Sequence, residues 1–489
     1  MRDLANTKTC STTWLSRSNS DQSRGQGYAY SRQRHLRWIL SISPVKTFRP
    51  VLNSNGLTVL AVLVLTAMTD WRLIDSGLSD HLFDFGDEAL NAVRAWDDHG
   101  FWSMAGLFPW GGYIPPETTP TAIYQSKTPL HLLHLWAAFK LVGLEGFANF
   151  KLVYSLMVVS LNGVLLGCIA KLCFPLRGPH WVSPIPGNLV FLSTYAITIS
   201  NEAMLRFCLV DEPDYLGMTF WLATIVALGH WLQRYDPKAT NERDNNNDNK
   251  QDQATTGISP LQNPKVAMAL GFISSWIYPI LGVINLIALF LLQLFPVKKP
   301  LQKGIRALMP GALAGIVLYW IHRVIAKQII PEKLIGSELM YRMGLTTNID
   351  GHDGIFDAID FLYDQRSGGI PGFLRNSQIR IEHIAIWILG IILFFIVFAK
   401  LKGINRQSLL VLSAGSSWLF VPLLTQSLAM HGWVYGIHFM PSVVLGWVGG
   451  CTTVFPGRQS QVFGPGTLGF CALLIWVIQM RWFLVAYLS

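Results

Sequence analysis

The sequence predicts an all-α polytopic membrane protein with about eleven transmembrane helices and interfacial helices in its first external loop. Three observations lead there. The chain of 489 residues is 51% hydrophobic and only 14% charged. Its apolar residues collect in windows long enough to cross a hydrocarbon core of about 30 Å, for which roughly 20 residues suffice. Lys and Arg recur in alternate connections between those windows, as they do when positive charge is retained on the cytoplasmic side during insertion. The formal net charge of +9 therefore reports orientation first, and nucleic acid is not an expected partner. The six cysteines have no CxxC spacing and fall mostly in apolar segments, which predicts inert thiols rather than a disulfide framework.

Residues 1–55 carry nine Lys or Arg against two acids before any hydrophobic run begins. That is the pattern of a cytoplasmic N-terminal tail rather than a signal peptide. Spans are expected near 56–73, 149–172, 185–203, 213–233, 264–280, 281–297, 305–328, 381–400, 407–428, 434–454 and 465–487. The pair between 264 and 297 is one apolar run around Pro279, readable as two short helices or one kinked helix. The run 130–143 contains His131, His134 and Lys140 and is too short to span, so it is read as an amphipathic helix at the outer interface. With the N-terminus inside, the basic clusters around Lys171, 234–265, 298–306, 400–406 and Arg458 all become cytoplasmic. The organisation that follows is a tail (1–55), a membrane core (56–328) with an external loop at 74–148, a second external segment (329–380) and C-terminal helices (381–489). The Asn- and Asp-rich stretch 238–257 reads as a cytoplasmic linker.

Candidate chemistry lies on the external side. After Gly86, the stretch DEALNAVRAW spaces Ala89, Ala92, Val93 and Trp96 along one helical face and leaves Asp87 and Glu88 at the expected helix start. A carboxylate there also serves as a cap, which is the plain reading of Asp84, Asp97 and Asp98. A second acidic element, Asp211, Glu212 and Asp214 around Pro213, precedes the fourth span on the same inferred side. Between them, Tyr124 and Lys127 lie just ahead of Pro129. Lys127 either snorkels towards headgroups or binds the phosphate of a lipid carrier. In the second external segment, Arg366 and Arg375 are candidates to meet phosphate, because a guanidinium offers a planar, permanently charged set of donors. His352 and Asp353 read as turn chemistry, and His322 and Arg323, at the outer end of the seventh span, as interfacial anchors.

The order of these features resembles the GT-C class of membrane glycosyltransferases, in particular the branch of the lipid A aminoarabinose transferases and the protein O-mannosyltransferases. Asp87 and Glu88 match the acid pair of that branch after its first span. Tyr124, Lys127, Thr128, Pro129 and Leu130 match its Tyr-x-x-Lys-Pro-Pro-Leu turn, with Thr128 in place of the first proline. Leu209 to Pro213 match its Asp-x-Pro element, and the helix near 264–285 is similar except that a Thr-Lys pair is replaced by Ser275 and Trp276. The likeness runs over about residues 56–300 and returns only in YGIHFMPSVVLGW (435–447), where His431 or His438 occupies the region of an arginine.

The resemblance implies a sugar donor on polyprenyl phosphate, presented from the outer leaflet, and transfer to an acceptor hydroxyl with inversion in a single displacement. Asp87 would act as base, with Glu88 the less favoured alternative, and Lys127 would stabilise the departing phosphate. Asp211 would orient the sugar or acceptor, or hold a divalent ion. Tyr124, Glu212, Arg366 and Arg375 are assigned to substrate binding. No cofactor is predicted, a divalent metal ion at Asp211 stays open as an alternative, and the acceptor is a lipid, a glycan or a protein. The expected address is the inner membrane, multi-pass, with the site facing the periplasm. The rival expectation is a transporter or flippase of a lipid-linked saccharide, for which Gln426 and His438 would be polar groups on a midplane path. A third is a noncatalytic membrane subunit.

Overall fold

The computed structural model describes residues 54–75, 82–109, 123–124, 128–174, 184–201, 204, 213–233, 263–293, 299–329, 381–400, 436–453 and 460–488. These form helices α1 (Ser54–Asp75), α2 (Leu82–His99), α3 (Leu130–Cys173), α4 (Pro184–Ile199), α5 (Pro213–Gln233), α6 (Pro264–Ile277), α7 (Pro279–Gln293), α8 (Lys299–Ile329), α9 (Ile381–Lys400), α10 (Gly436–Thr453) and α11 (Ser460–Leu488). Three stretches, Leu130–Cys173, Tyr215–Leu232 and Arg306–Ala326, are long and apolar enough to cross a membrane, and shorter apolar helices accompany them. The described residues are almost entirely helical, as the sequence predicts, with one small addition. Phe108–Pro109 (β1) and Ile123–Tyr124 (β2) form a two-residue antiparallel ladder, Phe108 opposite Tyr124, inside the first predicted external loop. Of the predicted tail, residues 1–53 lie outside the described residues, and Ser54 and Asn55 belong to α1. The predicted span at 407–428 and the segment 330–380 also lie outside them.

Two sequence readings are resolved by backbone geometry. The predicted surface helix at 130–143 and the span at 149–172 are two helical segments of the stretch labelled α3, separated by a kink at Gly143 with φ 68° and ψ −173°. That conformation belongs almost only to glycine, so the chain can change direction there without a second loop. The apolar run 264–297 is two helices, α6 and α7, separated by Tyr278. A Cβ on Gly282 would stand 2.7 Å from the Cβ of Ser275, seven residues earlier, a separation that a continuous helix would hold near 10 Å. The chain therefore folds back at Tyr278 and Pro279, where the proline has no N–H to give to an α6 continuation.

Helix packing relies on small residues. In α3, Gly163 and Gly167 receive the rings of Tyr195 and Phe191 from α4, with a glycine Cβ position 2.8 and 2.7 Å from them. In α8, Gly311 and Gly315 meet the carbonyl oxygens of Met268 and Phe272 in α6, and in α10 Gly446 meets the carbonyl oxygen of Gly390 in α9. The first two are G-x-x-x-G repeats, which bring two helical backbones close enough for van der Waals contact along several turns. Between spans, lipid tails give no hydrophobic reward for association, so such contact and hydrogen bonds carry it. The bonds are Asn162 Nδ2 to Thr219 Oγ1 at 2.8 Å, Ser274 Oγ to Gly217 O at 2.8 Å, Ser200 Oγ to Gln479 Oε1 at 2.6 Å, and a contact between Thr66 and Tyr195 hydroxyls. Asn162, Ser200, Ser274 and Gln479 are all buried, so each bond also spares an unpaired polar group.

Gly446→Val forces a branched side chain into the Gly390 carbonyl, and overpacking of that kind costs about 1–3 kcal/mol or more. Thermal unfolding of the purified full chain in detergent is expected to show a markedly lower midpoint. Gly466→Val, at a helical position with nothing within 4 Å of the added Cβ, leaves the midpoint nearly unchanged.

Candidate functional site

The site region is built on α2 and the start of α3. Ala89, Ala92, Val93 and Trp96 are 0–2% exposed, as their helical spacing predicts, and they pack on Leu132, Leu135 and Phe147 of α3. Trp96 is boxed by aromatic rings: Phe101 edge-on at 5.0 Å and Trp136 edge-on at 6.2 Å, with Phe101 and Trp136 stacked at 5.5 Å. Its indole N–H donates to Leu107 O at 2.6 Å, closing residues 100–107 back onto the helix. Two glycines, Gly100 and Gly106, and Ala105 turn that segment with positive φ. A Cβ on Gly106 would stand 2.7 Å from Pro129 Cβ, so the turn also seats against the entrance to α3.

That entrance is held by its own side chains. Thr128 is fully buried and its hydroxyl donates to Ile277 O at 3.3 Å, one of the last carbonyls of α6, which have no partner within the helix. The threonine found in place of a proline therefore ties two elements together. His131 Nδ1 lies 2.5 Å from Thr128 O, and since a carbonyl only accepts, Nδ1 carries the proton. On the far side, His322 Nε2 of α8 donates to Ala105 O at 2.8 Å. The turn after α2, the entrance to α3, the end of α6 and the outer part of α8 thus meet in one joint.

The sequence-predicted residues stand as follows. Asp87 and Glu88 lie in α2, but the helix begins at Leu82, five residues before Asp87. The expected position at the helix start is corrected: an N-cap would have to sit at the first turn, so capping is not the role of Asp87. At about 100° per residue, position 87 is half a turn round the axis from Trp96, on the side of α2 away from its buried stripe. Tyr124 is in β2, opposite Phe108. Lys127, Asp211, Glu212, Arg366 and Arg375 lie outside the described residues. Asp97, expected to be a plain helix-end acid, pairs with Lys140 of α3. Among the described residues, no group of three or more His, Cys, Asp or Glu side chains is gathered to hold a metal ion.

Sequence reasoning missed two buried cations. Lys151 in α3 is 5% exposed and shares a face with the buried Ser155 and Asn162. A lysine inside a span marks a functional position by default, because its burial needs compensation; the signal was its place within the apolar run. Arg323 corrects the reading of an interfacial anchor: it is 6% exposed, and its Nη1 has no hydrogen-bond partner among the described residues. An anchor would extend its guanidinium into water. Ser275 is also fully buried, against Gly282 and Gly315, so the polar position in α6 that the GT-C resemblance singles out serves packing here. Comparison with known proteins finds no matching family model, no matching curated protein and no matching solved structure.

Trp96→Phe keeps an aromatic ring but is smaller and leaves the Leu107 carbonyl without its donor. The expected loss is about 1–2 kcal/mol, read as a lower unfolding midpoint and faster proteolysis in the turn at 100–107. Asp97→Asn removes a partly exposed ion pair and is expected to cost less than about 1 kcal/mol by the same measurements.

Proposed function

We propose that the protein is a membrane glycosyltransferase that moves a sugar from a polyprenyl-phosphate donor to an acceptor hydroxyl, with inversion and with Asp87 as base. The observation that carries the reading is the mounting of α2. Its apolar stripe is spent on α3 and the aromatic box, while the position of Asp87 is turned away from that contact and too far inside the helix to cap it. A fixed helix carrying an acid on the side away from its buried stripe, near the entrance to α3 that follows Lys127, suits proton acceptance next to a lipid phosphate.

In the proposed step the acceptor oxygen attacks the anomeric carbon and its proton passes to the Asp87 carboxylate. The bond from that carbon to the phosphate oxygen breaks, and its electron pair leaves with the phosphate, whose charge Lys127 offsets. Asp211 orients sugar or acceptor, and Tyr124, Glu212, Arg366 and Arg375 contact the substrates. The reading includes eleven spans, an inner-membrane address and a site facing the periplasm. The acceptor is a lipid, a glycan or a protein, and a divalent ion held by Asp211 is compatible with the same step.

Asp87→Asn is expected to reduce transfer by about 10²-fold or more, measured with purified full-length protein, a radiolabelled polyprenyl-phosphate hexose or pentose, and membrane extract as acceptor. Glu88→Gln should retain most activity. Undiminished transfer by Asp87→Asn would sink the assignment.

A further inference from the structure

We propose that Cys451 and Cys471 form a dithiol site between α10 and α11, which an organic hydroperoxide dissolved in the bilayer oxidises to a reversible disulfide. The cysteines read from the sequence as inert, yet these two meet. Their thiols are hydrogen-bonded to each other across the two helices. Both are free, and Cys471 packs on the apolar cluster that contains Cys451. The packing of α10 explains the meeting: Gly449 takes the ring of Phe174 and Gly450 the side chain of Leu393 in α9, which leaves the next position, Cys451, to α11. Sulfurs in hydrogen-bond contact need only a small adjustment of the two backbones to be bridged.

The surroundings set the kind of oxidant. On α11, Cys471 lies at the border between the buried stripe of Leu468, Ala472 and Ile475 and the exposed stripe of Phe470, Leu474 and Val477. It is half-buried, whereas Cys451 is buried. The exposed stripe is apolar and belongs to one of the apolar helices, so a molecule that reaches Cys471 from that side comes through lipid. A hydroperoxide with an apolar body concentrates there, while hydrogen peroxide stays in water. The sulfur of Cys471 attacks the terminal oxygen of the O–O bond, giving a sulfenic acid and releasing the alcohol. The sulfur of Cys451 then attacks that of Cys471, the S–O bond breaks, and the hydroxide leaves as water with the Cys451 proton. The two thiols lose a pair of electrons and the O–O bond gains it. Cys451 is thus a resolving thiol already in place, which halts oxidation at its reversible stage. The bond fastens α10, seated on α9 through Gly446 and Gly390, to α11, which Gln479 ties to Ser200 of α4. None of this depends on sugar transfer.

The test treats the full-length protein, reconstituted in lipid nanodiscs, with cumene hydroperoxide, blocks remaining thiols with iodoacetamide, and reads the unfolded chain by mass spectrometry. Wild type should yield Cys451 and Cys471 in linked peptides, lighter by two hydrogens than the reduced pair and more abundant than any other cysteine pairing. Dithiothreitol should restore both thiols. The oxidised protein should unfold at a higher temperature, since the link constrains the unfolded chain. Phenylarsine oxide, which bonds both sulfurs and loses its oxygen as water, should form a one-to-one adduct on the same pair without any oxidation. Cys451→Ala should abolish the link and leave Cys471 as sulfinic or sulfonic acid. Cys471→Ala should leave Cys451 unmodified, and serine replaces alanine in either variant that fails to fold. Absence of the linked peptides from folded wild type overturns the proposal. Equal linkage by hydrogen peroxide overturns the membrane-borne oxidant, and oxidised Cys451 in Cys471→Ala overturns the order of attack.

Discussion

Carbonyl groups at the end of α6 and in the turn after α2 need donors, and the joint between these elements exists because side chains supply them. Thr128 donates to Ile277 O at the end of α6, Trp96 to Leu107 O and His322 to Ala105 O, while His131 secures the carbonyl of Thr128 itself. Each bond joins segments that would otherwise be independent loops. An unmade buried bond costs about 1–3 kcal/mol, so the four act as a set of constraints on where α2 can sit. They also explain why a turn with Ala105 at φ 50° is tolerated: the strained residue directs its carbonyl to His322.

Constraints at the joint would be useless if the helices below it were loosely associated. The glycine contacts supply the rigidity. Where Gly311 and Gly315 meet carbonyls of α6, and Gly446 meets one of α9, the backbones approach too closely for any side chain to intervene. The α6–α7 reversal at Tyr278 depends on the same device, since Gly282 leaves the space that Ser275 occupies. A short helical hairpin therefore docks against α8 and presents the Ile277 carbonyl at the level where Thr128 can reach it. Packing inside the bundle and hydrogen bonding at its end are consequences of one arrangement.

Legibility in the sequence followed periodicity. The stripe Ala89, Ala92, Val93 and Trp96 was readable because four small or aromatic residues at helical spacing need a surface, and the surface is α3. The separation of 130–143 from the span after it was readable from composition, and the break at Gly143 falls at that boundary. The start of α2 was not readable: Gly86 and the acids beside it looked like a helix beginning, while Leu82, Phe83 and Phe85 continue the helix upstream. The ladder between β1 and β2 joins residues about fifteen apart with no alternating pattern to announce it. Thr128 was legible only as a departure from a proline, because its partner carbonyl is 149 residues away.

Charge shows most clearly why sequence position alone misleads. Lys140 and Arg323 both lie on apolar helices, Lys140 in a run read as an amphipathic surface helix and Arg323 read as an interfacial anchor. Lys140 is 52% exposed in its side chain and meets Asp97, so water and a carboxylate share its solvation and the pair contributes little. Arg323 has neither. The difference comes from their neighbours. Lys140 projects from the surface part of α3 just before the break at Gly143, whereas Arg323 lies on the stripe of α8 that includes Ile316 and Ala326, both buried. On a helix, the burial of a charge is decided by which residues stand three and seven positions away. A guanidinium on the buried stripe is therefore a cost to the fold that packing against its neighbours must offset.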